Sequence, residues 1–427
     1  MIVPFLVLAA VAALEAATPL KVPPSGWTTW SPRAEIAPRT WVDQVHKRTP
    51  AGALAISGNS NPAAYGGWHH RVGDIEPGKW YRLRAHYRTD GVPNERIQIQ
   101  ARLDWSDAAG KRAGQPEFAW QTTPDGEWTR IEAQAPAPEK ASAVVLQLYL
   151  ANAPTGTVWW DEIALEEIDA PAPRPVTVAT INLQPSRTRD PAVSVKQFID
   201  AVDQNVTKAD IVVLPEGITI VGTGKSYAEV SEPIPGPTTT ALGELAKRKN
   251  AYIVAGIYER EGSAVYNTAV LLDRKGNVAG KYRKVYIPRE EYEGGIAPGS
   301  DYPVFRTDFG TIGMMICWDV QYADPARSLT LRGAEIVLMP IWGGNDVLAR
   351  ARAIENQIFL VSSGYNHPSR IIDPDGEVIA NAPERGTFAI ATLDLNKRYV
   401  DRWLGEMKDR FRKELRLDVP ALSGSIP

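Results

Sequence analysis

A change of hydrophobic period across a proline-rich segment restricts the fold more than any other feature. Residues 169–175 read Asp-Ala-Pro-Ala-Pro-Arg-Pro, and apolar residues are spaced differently on its two sides. Upstream the period is two. Tyr81, Leu83, Ala85 and Tyr87 alternate with Arg82, Arg84, His86 and Arg88. Ile97, Ile99, Ala101, Leu103 and Trp105 alternate with Gln98, Gln100, Arg102 and Asp104, and Val144, Leu146, Leu148 and Leu150 make a third row. Successive side chains of a strand face opposite ways, so this alternation predicts strands with one buried and one wet face. Turn formers at Glu76-Pro-Gly78 and Pro124-Asp-Gly126 separate them. Several such strands in ~150 residues predict an antiparallel β-sandwich over residues 19–168. Tryptophan follows the same division, with ten of 13 before residue 161.

Downstream, apolar runs alternate with helical patterns. Val176 to Leu183 predicts a strand, and Val193 to Val206 a helix with Val193, Phe198, Ile199 and Val202 on one side. Next come Ile211-Val-Val-Leu214, a helix over Thr238 to Lys249 and the run Tyr252-Ile-Val-Ala-Gly256. Continuous apolar strands between helices predict an α/β domain with covered sheets, over residues 176–396. Residues 169–175 then read as a semi-rigid linker. Val400, Trp403, Leu404, Met407, Phe411 and Leu415 recur at helical spacing, predicting a helix and tail over 397–427. Residues 397–416 carry eight basic and four acidic side chains. Docking on the α/β domain or on a second subunit is expected ahead of a membrane-surface role, and a homodimer or higher homo-oligomer is expected.

Composition removes several classes. Lys plus Arg is 47 against 50 for Asp plus Glu, without the basic surplus of a nucleic-acid binder. One cysteine excludes an intramolecular disulfide and a Cys-rich zinc site, and five histidines constrain imidazole-based metal centres. Ile2 to Ala13 is nearly all apolar, too short to span a bilayer of roughly 30 Å as a helix, and is followed by Ala16 and Ala17. This predicts an export signal over 1–17 and a periplasmic or extracellular protein. No later apolar run approaches 18 residues, so no integral membrane protein is expected.

Three segments of the α/β domain can carry chemistry. Ile211-Val-Val-Leu-Pro-Glu216-Gly puts a carboxylate at the carboxyl end of a buried strand, where open α/β sheets gather ligands. A solvated turn glutamate is the competing reading. Lys281-Tyr-Arg-Lys284-Val-Tyr-Ile-Pro288 would by itself be a basic strand edge. Gly310-Thr-Ile-Gly-Met-Met-Ile-Cys317-Trp-Asp319 delivers the single cysteine to a strand end before a helical pattern. A lone buried cysteine is commonly a small hydrophobe. At a strand-to-helix turn, however, N-terminal amides lower a thiol pKa, which makes Cys317 a candidate nucleophile. The only imidazole in this domain is His367, in the turn-like Gly364-Tyr-Asn-His-Pro368. A Cys–His pair is therefore one alternative, and activation through Glu216 and Lys284 the other.

Taken together and in this order, the three segments resemble the nitrilase superfamily of carbon–nitrogen hydrolases. The similarity runs through Gly333-Ala-Glu-Ile-Val337 and Arg350-Ala-Arg-Ala-Ile-Glu-Asn356 to Ile372-Asp-Pro-Asp-Gly376, covering about residues 176–396. The resemblance implies a four-layer αββα sandwich and a cysteine hydrolase with no metal or organic cofactor. It matches Glu216 to a general base, Lys284 to the family's lysine and Cys317 to the nucleophile. The backbone N–H of Trp318 is expected as a second oxyanion donor. The family often has a second glutamate after the lysine, for which Glu290, Glu291 and Glu293 compete; Glu293 is favoured because it precedes Gly-Gly and a Pro-Gly turn. Tyr286 stands where relatives commonly have histidine, implying a changed pocket wall. Asp319 follows the Cys-Trp pair where true nitrilases usually have glutamate. This favours a small amide or N-carbamoyl substrate, with nitrile hydrolysis or acyl transfer to an amine as alternatives.

Upstream, Gly67-Trp68, Pro77-Gly-Lys-Trp80-Tyr81 and Val158-Trp-Trp-Asp-Glu-Ile163 resemble galactose-binding-like jelly-roll sandwiches that include carbohydrate-binding modules. Arg84, His86, Gln98 and Gln100 are then candidates for binding glycan hydroxyls. Core tryptophans and a structural or interface role are expected ahead of glycan binding. A glycan-binding protein with an idle hydrolase domain is the remaining alternative, against which the intact Glu, Lys and Cys set argues.

Overall fold

The computed structural model describes residues 19–20, 25–416 and 418–419, so the expected export segment lies outside the described residues. The chain forms two compact units, one of them Ala172–Tyr399 and the other running to Pro171 and resuming at Val400.

The first unit holds two antiparallel sheets. One has the order Arg39–Asp43, Ala53–Ser57, Thr157–Ile168, Trp80–Asp90, Trp128–Pro136, Gln121–Asp125, and Pro19–Leu20 also pairs with Thr157–Ile168. The other has the order Thr28–Trp30, Tyr65–Val72, Ala143–Ala151, Ile99–Ser106, Glu117–Phe118. The period-two rows turn inward: Tyr81, Leu83, Ala85 and Tyr87 from one sheet meet Leu103, Trp105, Leu146 and Leu148 from the other. Ile97 departs from its expected row, because Glu95–Gln98 is a short helix and the strand begins at Ile99. Five tryptophans, Trp68, Trp105, Trp128, Trp159 and Trp160, are buried. The four glycan candidates form no common surface. Arg84 pairs with Glu132 at 2.9 Å and the His86 ring lies 3.1 Å from Glu162, both on one sheet. Gln100 belongs to the other sheet, and Gln98 closes the short helix and donates to the Asn152 carbonyl.

The long C-terminal helix expected from residue 400 is not formed. Val400–Asp401 and Gly405–Glu406 pair as two short strands, and only Met407–Glu414 is helical. Asp401 accepts the backbone N–H groups of Trp403 and Leu404, Gly405 takes a φ of +85°, and Glu406 caps the helix through the Asp409 N–H. Local side-chain acceptors and a left-handed glycine thus outcompete the helical period. This segment docks within the first unit, where buried Lys413 donates to the Ile99 carbonyl and Arg96 to that of Leu415.

Ala172–Tyr399 contains two six-stranded mixed sheets. The first runs Val278–Arg283, Ala264–Leu272, Tyr252–Glu261, Ile211–Val213, Pro175–Asn182, Thr387–Asp394. The second runs Val304–Arg306, Thr311–Met314, Ile336–Pro340, Phe359–Ser363, Ser369–Ile372, Val378–Ala382. Helices Pro191–Asn205 and Pro237–Lys249 bury Phe198, Val202, Leu242 and Leu245 against Val212, Leu214, Ile253 and Ala255. The alternate residues Ile211, Val213 and Val254 pack with Ile312, Met314, Leu338 and Leu360 of the second sheet. That core extends to Ala326 and Leu329 of helix Asp324–Leu331 and Ala349 and Ala353 of helix Asp346–Asn356. The layers are α, β, β, α, and strands covered on both faces account for the continuous apolar runs. Asp190 starts the first helix by accepting the Ala192 N–H ahead of Pro191, whose missing N–H costs nothing there. The expected linker is shorter than 169–175. Arg174 donates to Glu335 at 2.9 Å and to the Phe309 carbonyl at 3.0 Å, and Pro175 opens a strand.

Candidate active site

The strand Ile211–Val213 is extended by Leu214, whose N–H donates to the Val254 carbonyl, and the chain then turns at Gly217 with a φ of +61°. This leaves Glu216 buried at the strand end. A Cβ at Gly256 would lie 2.6 Å from the Glu216 Cα, so glycine is what admits this backbone. Tyr365 Oη donates to the Glu216 carbonyl at 2.6 Å.

Lys284 follows Val278–Arg283 and is equally buried. Its Nζ donates to Oε1 of Glu216 and to Oε1 of Glu291, each at 2.9 Å. Asn267 Nδ2 donates to the same two oxygens, at 2.6 and 2.8 Å. Oε2 of Glu216 and Oε2 of Glu291 have no hydrogen-bond partner among the described residues.

Cys317 sits past Thr311–Met314 with a φ of +39°, a left-handed conformation that a non-glycine residue holds only under constraint. The constraint is Asp319, fully buried, which accepts the Ile316 N–H at 2.8 Å, the Tyr286 N–H at 3.0 Å and the Tyr282 hydroxyl at 2.7 Å. One carboxylate therefore ties the cysteine turn to the lysine segment. Because its side chain is occupied there and does not line the cavity, Asp319 does not choose between amide and nitrile by contact.

Glu216, Lys284, Glu291 and Cys317 line one cavity of about 860 Å³, with Ile220, Tyr227, Tyr258, Trp318 and Trp342 among its walls. The glutamate that meets Lys284 is Glu291, not the favoured Glu293. Residues two apart on the helix Arg289–Glu293 lie about 200° apart around its axis, so only one can face Lys284. Glu293 is 70% exposed and reaches only Arg289. His367 is not brought to the cysteine: its Nε2 lies 2.6 Å from Asp346 and it does not line the cavity. Trp318 is on the wall with 40% of its surface exposed.

The electrostatics differ from the expected low-pKa thiol. Cys317–Gln321 is a 3-10 turn, and the helix Asp324–Leu331 begins seven residues beyond the sulfur. Burial foremost, then the Glu216 charge, pushes the thiol up to about 12, against the opposing pull of Lys284 and the Trp342 and Gly343 N–H groups. Burial works against the Lys284 charge, but Glu216, Glu291 and Cys317 hold its ammonium well above the usual lysine range. Burial, reinforced by Glu216 and resisted by Lys284, pushes Glu291 up to about 7. The cluster can thus keep a fixed cation, an unpaired carboxylate oxygen and a protonated thiol in one cavity.

Sequence reasoning missed Asn267, which joins both carboxylates. The available signal was a polar amide inside the apolar strand Ala264–Leu272, since such a group must find partners when buried. Among the described residues no group of three or more His, Cys, Asp and Glu side chains is placed to hold a metal ion. No described helix is long and apolar enough to cross a membrane.

Against known proteins, the carbon-nitrogen hydrolase family profile matches residues 177–402. The chain is 34% identical over 222 residues to a nitrilase of Pyrococcus abyssi, covering 45% of this chain and 81% of that one. It is 28% identical over 243 residues to omega-amidase NIT2 of Xenopus tropicalis, covering 49% of this chain and 84% of the relative. Nit3 of Saccharomyces cerevisiae, a nitrilase-superfamily structure, aligns with a TM-score of 0.47 at 24% identity over 52% of this chain and 90% of that one.

Proposed function

Because this chain belongs to the carbon-nitrogen hydrolase family, we propose that it hydrolyses amides through Glu216, Lys284 and Cys317. The observation carrying this is the cavity floor, where Lys284 bridges Glu216 and Glu291 beside the one cysteine and Glu216 Oε2 is unpaired. In the first half-reaction Cys317 Sγ bonds to the carbonyl carbon as its proton passes to Glu216. The carbonyl oxygen becomes an oxyanion held by the Lys284 ammonium and the Trp318 N–H. The intermediate collapses by breaking the C–N bond, and Glu216 returns the proton to the departing nitrogen. A thioester remains. In the second half-reaction Glu216 takes a proton from water as hydroxide adds to the thioester carbon, and the C–S bond then breaks as Glu216 returns that proton to the sulfur, giving the acid and the thiol.

Asp319 after the Cys-Trp pair and the omega-amidase relatives support an amide, while the Pyrococcus abyssi relative named a nitrilase makes a nitrile the alternative to test. In the first unit, the five buried tryptophans, the Arg84–Glu132 ion pair and the His86 ring packed 3.1 Å from Glu162 support a structural or interface role ahead of glycan binding. The test is ammonia release from amides, N-carbamoyl amino acids and nitriles by the intact chain and by Cys317→Ala. Amide turnover that vanishes in the folded variant, with an acyl adduct on Cys317 by mass spectrometry, is expected. Undiminished hydrolysis by Cys317→Ala overturns the mechanism, and faster nitrile than amide turnover overturns the substrate.

A further inference from the structure

The cavity is larger than the reacting group requires. Its volume of about 860 Å³ falls in the range that encloses a drug-sized ligand, whereas a scissile amide alone has only a few heavy atoms. Beyond the charged floor, Ile220, Tyr227, Tyr258, Trp318 and Trp342 form an apolar part of the wall, and Lys225, Arg289 and Glu290 also line the cavity. The two indoles keep 40% and 39% of their surface exposed, although both stand close to the sulfur along the chain. Trp318 follows Cys317, and Trp342 precedes Gly343, whose carbonyl lies 3.8 Å from the sulfur. Large apolar side chains left exposed together in one concavity mark a binding surface, where scattered ones would not. The tyrosine wall is fixed: the Tyr227 and Tyr258 rings are 4.7 Å apart, and a Cβ at Gly294 would meet the Tyr227 ring at 2.5 Å.

Charge points the same way. A short acyl chain ending in carboxylate would bring its charge to a floor that already holds Glu216 and Glu291 around Lys284. Of the two cations on the wall, Arg289 is exposed and faces Glu290 at 3.4 Å and Glu293 at 3.9 Å, and Lys225 is exposed with its charge acting on the Glu229 carboxylate. Resting on the hydrolase reading, we propose that the acyl part of the substrate is an uncharged aromatic or extended apolar group seated against Ile220, Tyr227, Tyr258 and the two indoles. The chemical class is the primary amides of arylalkanoic and medium-chain acids.

Binding and turnover are measured separately, so that this proposal and the hydrolase reading can fail independently. Binding uses Cys317→Ala, which needs no chemistry, with tryptophan fluorescence titrated by acetamide, succinamate, hexanamide and phenylpropionamide. Burying a phenyl or pentyl group should tighten binding over acetamide by about tenfold to a hundredfold. Introducing Tyr227→Ala, and independently Ile220→Ala should the first fail to fold, should remove most of that gain, weakening hexanamide and phenylpropionamide more than acetamide. Equal affinity across the series, or succinamate binding tightest, overturns the proposal. In the wild type, kcat/KM should follow the same order. If the binding order holds and no amide is turned over, the hydrolase reading fails while the proposal stands. If amides are hydrolysed with no preference for the apolar acyl group, the proposal alone fails.

Discussion

Glu291→Gln removes one negative charge from the buried cluster and leaves its shape unchanged. Lys284 Nζ is 2.9 Å from both Glu216 and Glu291, so two carboxyl groups share one ammonium, and ionising both would leave the cluster with a surplus negative charge. Burial, with Glu216 behind it, raises the Glu291 carboxyl from its ordinary 4.5 to about 7. Between those values the folded chain holds a proton that the unfolded chain gives up. The stability this contributes is complete below about pH 4.5 and is lost as pH rises through about 7. At about 1.4 kcal/mol per pH unit, the window is worth on the order of 3 kcal/mol. An amide at this position does not titrate, so the variant lacks that slope. Urea unfolding of both intact proteins at pH 5 and pH 8, compared as a difference, cancels the first unit and Asp319, which burial raises to about 6 in both chains. The difference should move in favour of Glu291→Gln by about 2–3 kcal/mol between the two pH values. Parallel stability profiles would refute the charged-cluster account, because they would mean Glu291 ionises in the fold as readily as in the unfolded chain.

Glu216→Gln should lower amide hydrolysis by on the order of 10²–10⁴. Its alkylation by iodoacetamide at pH 8 should nevertheless be faster than the wild type's, since, after burial, the Glu216 charge is what keeps the Cys317 thiol protonated; slower alkylation would show Glu216 drawing off the thiol proton in the resting site. Glu293→Gln should leave kcat/KM within about threefold of wild type, as expected for a residue 70% exposed. A larger loss would restore Glu293 as the supporting carboxylate. Gly344→Ala would place a Cβ 2.1 Å from the His367 ring, which is held by Asp346, at a cost of about 1–3 kcal/mol. Because Gly344 adjoins the Trp342 and Gly343 N–H groups facing the sulfur, kcat should fall more than KM rises, and an unchanged kcat would mean that the ring swings aside.

The two architectures were legible where one rule governed a whole element. The alternating row Tyr81 to Tyr87 has its period because one face of that strand meets Leu103 and Leu146 and the other meets water and ion pairs. The continuous run Ile211 to Leu214 has no period because helices cover one face and a second sheet covers the other. The reading failed where local acceptors or distant partners decide. Helical spacing from Val400 onward is real in the sequence, yet Asp401 captures two backbone donors and Gly405 turns left-handed before the pattern can act. Arg174 looked like linker because its partner Glu335 stands 161 positions away.

The candidate site was legible to the extent that strand ends announce themselves. Glu216 follows an apolar run and a proline, and Cys317 ends another, so both positions follow from the sheet. Which glutamate meets Lys284 depends instead on the phase of a five-residue helix, and no pattern in Arg-Glu-Glu-Tyr-Glu fixes that phase. Asp319 was legible only as a position after Cys-Trp that favours an amide substrate; what its side chain does, turning inward to hold the Ile316 and Tyr286 N–H groups, was not. The protonation of the thiol was the least readable property. A strand-to-helix turn predicts a lowered pKa, and the amides facing the sulfur do act in that direction, but they come from Trp342 and Gly343 on a different segment. Burial outweighs them, and so does the Glu216 carboxylate, brought to Lys284 across 68 positions of sequence. The balance of such effects depends on which charges share a space from which water is excluded, a property of the assembled sheets and not of any single strand end.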